Sequence, residues 1–305
     1  MTAFSIQAAP RDARSWLQLA QRCEDSGFDA LLAADHPGSA ASPFVALAAA
    51  ASVTSTLGLG SYVSNGGIRD PILLACDVAT LDVVSGGRAR LGLGAGHTPG
   101  EWGAIGRVRP DVAGRVRRCI AVAEAVRALL GGDEVDVDTA DLVARSARLD
   151  EPRPAQDSVP LTLGGANSRL LHWAGRHADT VGLSGLGRTL ADGHTHEVRW
   201  RPHELEAQLQ HVAEGAATRG RAPMIEALVQ QVTVTDDAAA AVAETTHETG
   251  MSEEELLASP FLLVGTQQEI LATIAEHERR WGITRYVVRE NAITDAECLM
   301  SSLSN

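Results

Sequence analysis

The strongest constraint on this chain is an alternation: short apolar runs with strand patterning are followed repeatedly by stretches whose apolar residues recur every three or four positions. Strands are expected at residues 4–8, 29–34, 57–63, 88–95, 161–163, 181–183, 225–234 and 285–289. Helices are expected at 13–25, 43–54, 71–84, 115–130, 168–177, 202–218, 237–248 and 267–281. Local punctuation agrees, with Gly27 closing the first helix, Asp70 and Pro71 opening the third, and Gly86 and Gly87 ending it. Parallel neighbours need a crossover of a dozen or more residues, so a strand–helix unit repeated eight times predicts an α/β fold of the (β/α)8 TIM-barrel type. A doubly wound sheet is the competitor, weakened because no G-x-G-x-x-G opens a helix after the first strand. Extra segments fall at 98–114, 133–159, 185–201 and 251–260, which places two of them in the loops after strands 4 and 6. Residues 1–305 are expected to form a single barrel domain.

Composition narrows the partners. With 39 acidic against 26 basic residues and a formal charge of −13, most of the surface repels nucleic-acid backbones and anionic lipid. No apolar run approaches the roughly 18 residues of a membrane span, and MTAFSIQAAP lacks a basic segment followed by an apolar one, so a cytoplasmic location is expected. Cys23, Cys76, Cys119 and Cys298 are scattered, which suggests neither a disulfide framework nor a zinc site, and no metal is expected. Aromatics make up only 4% of the chain, so a ligand pocket must be walled mainly by aliphatic side chains and backbone.

Barrel chemistry is carried by the loops after the strands, and several short motifs fall there. Asp35-His36 ends strand 2; His36 reads either as a proton donor fixed by Asp35, or as a solvated turn residue beside an Asp35 that binds loop amides. The run Ser61-Tyr62-Val63-Ser64-Asn65-Gly66-Gly67 after strand 3 permits close backbone approach to a planar ligand, as would any strand-to-helix loop. Alternate glycines in 91–97, Gly94 and Gly96 among them, mark a place where a ligand or another backbone comes close. His97 and Glu101 follow as further acid–base candidates. Gly164-Gly165-Ala166-Asn167-Ser168 precedes a helix N-terminus, whose free N–H groups suit a phosphate. His194, His196, Arg199, Arg201 and His203 form a basic cluster that reads as a solvated loop rather than a ligand set.

The stretches CEDSGFDALLAADH (23–36), TLDVVSGGRARLGLGAG (80–96), PLTLGGANSRLLHWAGRHADTVGL (160–183), LLASPFLLVGTQQEI (256–270) and ITRYVVRE (283–290) together resemble the bacterial luciferase-like flavin and deazaflavin oxidoreductases, in particular the branch dependent on coenzyme F420. The resemblance implies a TIM barrel that holds the ring at its C-terminal mouth, with a non-prolyl cis peptide at Ser61-Tyr62 supporting it. It implies cofactor contacts from Asp35, Ser61 and Tyr62 and a phosphate turn from Gly164 to Ser168, to which the spacing of Gly94 and Gly96 adds two further cofactor-contact candidates. It also implies hydride transfer between the cofactor C5 and a small organic substrate, by C=C or C=N reduction or alcohol oxidation, with His36 as proton donor and His97 as runner-up. Two alternatives stay open: a two-component monooxygenase using reduced FMN, and a cofactor-binding protein without turnover. A homodimer is left open. His97 stands where sugar-phosphate-oxidising relatives carry a catalytic Glu, and Asn65-Gly66-Gly67-Ile68 stands where relatives often carry aromatics.

Overall fold

A computed structural model describes residues 2–190 and 196–303. Eight parallel strands lie where the alternation predicts them: β1 (Ala3–Gln7), β2 (Ala30–Ala33), β3 (Gly58–Ser61), β4 (Ala89–Gly94), β5 (Leu161–Gly164), β6 (Thr180–Leu183), β7 (Met224–Leu228) and β8 (Ile283–Arg289). They form the sheet of an α/β barrel with flanking helices. The chain divides into two compact units, each contributing four of these strands.

In the unit 8–165, β2 pairs with β3, β3 with β4, and β4 with β5, all parallel, in a register that sets Ala30 beside Gly58, Leu59 beside Ala89 and Leu91 beside Leu161. The glycines of β3 make room for Arg90: a Cβ on Gly58 would lie 2.7 Å from its guanidinium, which is ion-paired with Asp29. The outer layer is formed by Pro43–Ala51, Pro71–Ser85 and Val112–Gly131, whose Leu47, Leu74, Val78, Val122 and Leu129 are fully buried. Each such side chain stabilises the fold by about 1.5–3 kcal/mol relative to exposure.

In the unit formed by 2–7, 166–190 and 196–303, β1 pairs with β8, β8 with β7, and β7 with β6. The helices Ser168–His177 and Pro202–Ala216 pack closely because Gly175 and Gly215 carry no side chain; a Cβ on Gly175 would overlap the Val212 carbonyl, and one on Gly215 the His172 carbonyl. The expected strand 225–234 is instead two. After β7 the chain changes partner, and Gln231–Val234 pairs with Leu262–Gly265 in a small sheet of its own. The change of partner falls at Gln230-Gln231, and the second half is less buried than the first.

The extra segments also take form. The first holds the short helix Pro99–Ala104, the second the hairpin Val135–Asp138 with Val143–Ala147, the third the pair Leu186–Thr189 and His196–Val198, and the fourth the helix Glu253–Leu257. Among the described residues no helix is long and apolar enough to cross a membrane.

Candidate active site

The site is built where β2, β3 and β4 end, within the unit 8–165. Asp35, 2% exposed, lies two residues beyond β2. Its carboxylate accepts from the Asn65 amide at 3.0 Å and from two donors of Arg69, Nε at 2.9 Å and Nη2 at 2.7 Å. The Arg69 guanidinium is held charged by that pairing, its pKa raised first by the Asp35 hydrogen bond and opposed by burial. Asp35 therefore fixes the loop after β3. It does not hold His36, contrary to the expectation that the neighbouring carboxylate would.

The partner of His36 is Glu101. The imidazole Nδ1 lies 2.7 Å from Glu101 Oε1, with the His36 side chain 38% exposed and that of Glu101 only 4%. The other carboxylate oxygen accepts from Asn65 Nδ2 at 2.5 Å. Burial pushes the Glu101 pKa up, but hydrogen bonds from His36, Asn65 and Thr98, together with the charge on His36, outweigh it and hold the carboxyl below its ordinary value. Glu101 is thus an anion at neutral pH and not a proton donor. The His97 ring meets the His36 ring edge-on, with centroids 5.4 Å apart and planes at 74°.

Asn65 ties these groups together. Its side-chain oxygen accepts from the Gly67 amide at 2.9 Å while its amide nitrogen serves Glu101. Gly96, at φ 71°, leaves the space that the Asn65 side chain occupies, and a Cβ on Gly67 would overlap the Trp102 ring. The non-prolyl cis peptide lies at Tyr62-Val63, one bond beyond the Ser61-Tyr62 position the resemblance implied. The strand β3 ends at Ser61 rather than at residue 63, and Ser64-Asn65 pairs with Leu93-Gly94 of β4.

Val63 accounts for the alternate glycines. A Cβ on Gly94 would lie 2.6 Å from Val63 Cγ2, and one on Gly164 would lie 3.1 Å from Cγ1. Gly92 clears the Ser61 carbonyl. What comes close to these glycines is the chain itself. The Ser61 hydroxyl donates to the Gly92 carbonyl at 2.9 Å and accepts from Ser64 at the same distance, so it is engaged within the wall. Tyr62 is buried.

In the turn after β5, Gly165 has φ 154° and Asn167 caps the helix Ser168–His177, its side chain accepting from the amides of Arg169 and Leu170. Two N–H groups of that helix end are therefore already satisfied. Ser168 and Arg169 are exposed beside them. In the other unit, a polar cavity of about 150 Å³ at the ends of β7 and β8 is lined by Gln230, Gln231, Thr233, Arg289 and Asn291 among others. His194 lies outside the described residues. Among the described residues no group of three or more His, Cys, Asp or Glu could hold a metal ion.

Sequence reading missed Arg69 as the partner of Asp35, and it did not foresee Asn65 as the link between Gly67 and Glu101. One signal was available: a carboxylate expected at a buried strand exit needs a cation or amides to satisfy it.

The fold and this constellation define an α/β barrel whose chemistry-bearing groups stand at the C-terminal ends of its strands. The luciferase-like monooxygenase family profile matches residues 2–285, and the chain belongs to that family. It is 32% identical over 228 residues to the F420-dependent glucose-6-phosphate dehydrogenase of Beutenbergia cavernae, an alignment covering 72% of this chain and 62% of the relative. It is 30% identical over 215 residues to the 4-hydroxyprotoasukamycin monooxygenase of Streptomyces nodosus subsp. asukaensis, covering 67% of this chain and 54% of that protein. The chain spans about three fifths of the length of the first curated relatives it matches. An F420-dependent secondary alcohol dehydrogenase, solved with an F420-acetone adduct, shares the fold at a TM-score of 0.75 and 18% identity, covering 98% of this chain and 97% of that one.

Proposed function

We propose that this protein is an oxidoreductase that transfers a hydride between the deazaflavin coenzyme F420 and a small organic substrate, with His36 moving the accompanying proton. The observation that carries this reading is the His36–Glu101 pair, a half-exposed imidazole braced by a buried anion. The relationship to an F420-dependent dehydrogenase supports the choice of cofactor.

The residues present fit such a group. The exposed Ser168 and Arg169 offer a hydroxyl, a main-chain amide and a cation suited to a phosphate, although Asn167 has already taken two neighbouring amides. Of the loop Tyr62-Val63-Ser64-Asn65, Val63 is the half-buried residue that would meet the ring, the other three being buried. When bound, the deazaflavin supplies or accepts the hydride at its C5. Glu101, ionised and an acceptor only, requires the proton on Nδ1 of His36, so Nε2 is the nitrogen that gains and loses the reacting proton. Hydride addition to a polarised C=C or C=N bond leaves an anion that imidazolium neutralises; in alcohol oxidation the neutral imidazole takes the hydroxyl proton. Glu101 favours the imidazolium in either direction.

Fluorescence-quenching titrations with F420 and FMN test the reading. Tighter binding of F420, with the reduced coenzyme turned over by a substrate panel under nitrogen, supports it. The relationship to a monooxygenase favours the second reading. Equal or tighter FMN binding, with oxygen consumption by the reduced flavin, would establish that alternative.

A further inference from the structure

Arg118 lies on the helix Val112–Gly131 with its side chain only 11% exposed, and its nearest carboxylate among the described residues, Asp70, is 3.7 Å away. Its donors go to main-chain carbonyls instead: Nε to Gly67 at 2.7 Å, Nη2 to Arg69 at 3.1 Å and Nη1 to Asp141 at 2.8 Å. Taking a cation out of water costs free energy, which these three hydrogen bonds offset. Two of the three carbonyls belong to residues that hold Asn65. The Gly67 amide donates to Asn65 Oδ1 at 2.9 Å, and the Arg69 amide donates to the Asn65 carbonyl at 3.0 Å. One guanidinium therefore fixes the carbonyls of the same two residues whose N–H groups fix Asn65, side chain and main chain alike. From Asn65 the path continues through Nδ2 to Glu101 at 2.5 Å, and from Glu101 to His36 at 2.7 Å. Gly67 has no side chain to brace its backbone, so the hold on its carbonyl comes from outside the loop.

We propose that Arg118 is a positioning residue for proton transfer: by clamping Gly67 and Arg69 it keeps Asn65 on Glu101, and so keeps Glu101 on His36. It touches none of the reacting groups and acts only through this chain of contacts. Lysine is not its equivalent, because an ammonium is a point charge without the planar fork that reaches two carbonyls of one loop. The effect on His36 stands by itself; its consequence for turnover rests on the function proposed above.

The protonation midpoint of His36, followed by NMR of its ring protons in the full chain without any cofactor, is the test. Arg118→Lys keeps the charge and loses the fork. It should move the midpoint to lower pH by about half a unit, because Glu101 no longer holds its counter-charge at one fixed short distance. Arg117→Lys makes the same exchange at the neighbouring residue, whose guanidinium grips Asp141 and not the loop, and should leave the midpoint in place. On an Asn65→Ala background, or Asn65→Ser where the alanine variant does not fold, Arg118→Lys should add no further shift, since the path it uses is already cut. In turnover, Arg118→Lys should lower kcat by roughly tenfold with KM within about twofold, a split that a loss of stability alone does not produce. An unmoved midpoint in Arg118→Lys, an equal shift in Arg117→Lys, or a full additional shift on the Asn65 background would overturn the positioning role. An unchanged kcat beside a moved midpoint would overturn its consequence for turnover. A midpoint that moves as expected in a protein that does not bind F420 would refute the proposed function and leave the positioning role standing.

Discussion

The Nδ1 of His36 lies 2.7 Å from Oε1 of Glu101, a residue 65 positions further along the chain. This contact, and not the adjacency of Asp35, gives the imidazole its orientation and its tautomer. The same carboxylate is bound by Asn65, so the loops after β2, β3 and β4 meet on one buried anion. Removing the charge while keeping the shape isolates its effect. In Glu101→Gln the protonation midpoint of His36, followed by NMR of its ring protons, should move to lower pH because the imidazolium loses its counter-charge. Turnover should fall by roughly 10–100-fold. An unmoved midpoint would remove Glu101 from the proton path.

The two histidines are separable by kinetics. His36→Ala should lower kcat by roughly 10²–10⁴, the range expected on deleting a general acid–base, with F420 affinity within a few fold of wild type. His97→Ala should act mainly on KM, since it removes a ring that packs against His36 and leaves in place the main-chain carbonyl that holds Arg109. A near-normal kcat in His36→Ala rejects the assignment, and a collapse confined to His97→Ala transfers the role.

Most of the barrel was legible because short apolar runs of four to seven residues alternate with longer stretches of helical period, with glycine and proline punctuating the joins. The site was legible only in part. Asp35 and His36 are adjacent in sequence, yet the carboxylate reaches Arg69 and the imidazole reaches Glu101, partners 34 and 65 positions further along the chain. Sequence proximity suggested a contact that these longer-range partners replace. The glycines at 92 and 94 announce a need for space, but the occupants, Ser61 at the end of β3 and Val63 in the loop after it, lie some thirty residues earlier. The strand broken after Leu228 escaped notice because its change of partner depends on Leu262–Gly265, which no local pattern connects to it.

Gly96 offers a test of how tightly the loop is specified. Its φ of 71° is one that an L side chain occupies at a cost of about 1–2 kcal/mol, and the new Cβ would collide with the Asn65 side chain that holds Glu101. Gly96→Ala should therefore lose at least that much stability in urea unfolding and should also reduce turnover. Gly100→Ala, with nothing within 4 Å of its Cβ, is the control and should be neutral or slightly stabilising. Similar stabilities for the two variants would show that the Asn65 contact does not constrain Gly96.

The last prediction concerns His277, buried far from the His36 pair in sequence and held by two contacts: Nδ1 to the Tyr286 hydroxyl at 3.0 Å and Nε2 to the Ala258 carbonyl at 3.2 Å. A carbonyl only accepts, so Nε2 carries the proton and the tyrosine hydroxyl donates to Nδ1. The neutral ring is fully matched. Burial lowers its pKa from 6.5 to about 4, with the Ala258 hydrogen bond and the charge of Glu276 opposing. Between these values the unfolded chain binds a proton that the folded chain refuses. The contribution is thus complete above the unfolded pKa and is lost as pH falls from 6.5 toward 4. A shift of this size corresponds to about 3 kcal/mol at most. Urea unfolding at pH 7.5, 6.0 and 5.0 should show wild type losing stability across that window. His277→Gln, which keeps a donor and an acceptor but does not titrate, should start less stable and lose less. Parallel pH profiles for the two proteins would show that His277 is not the group responsible.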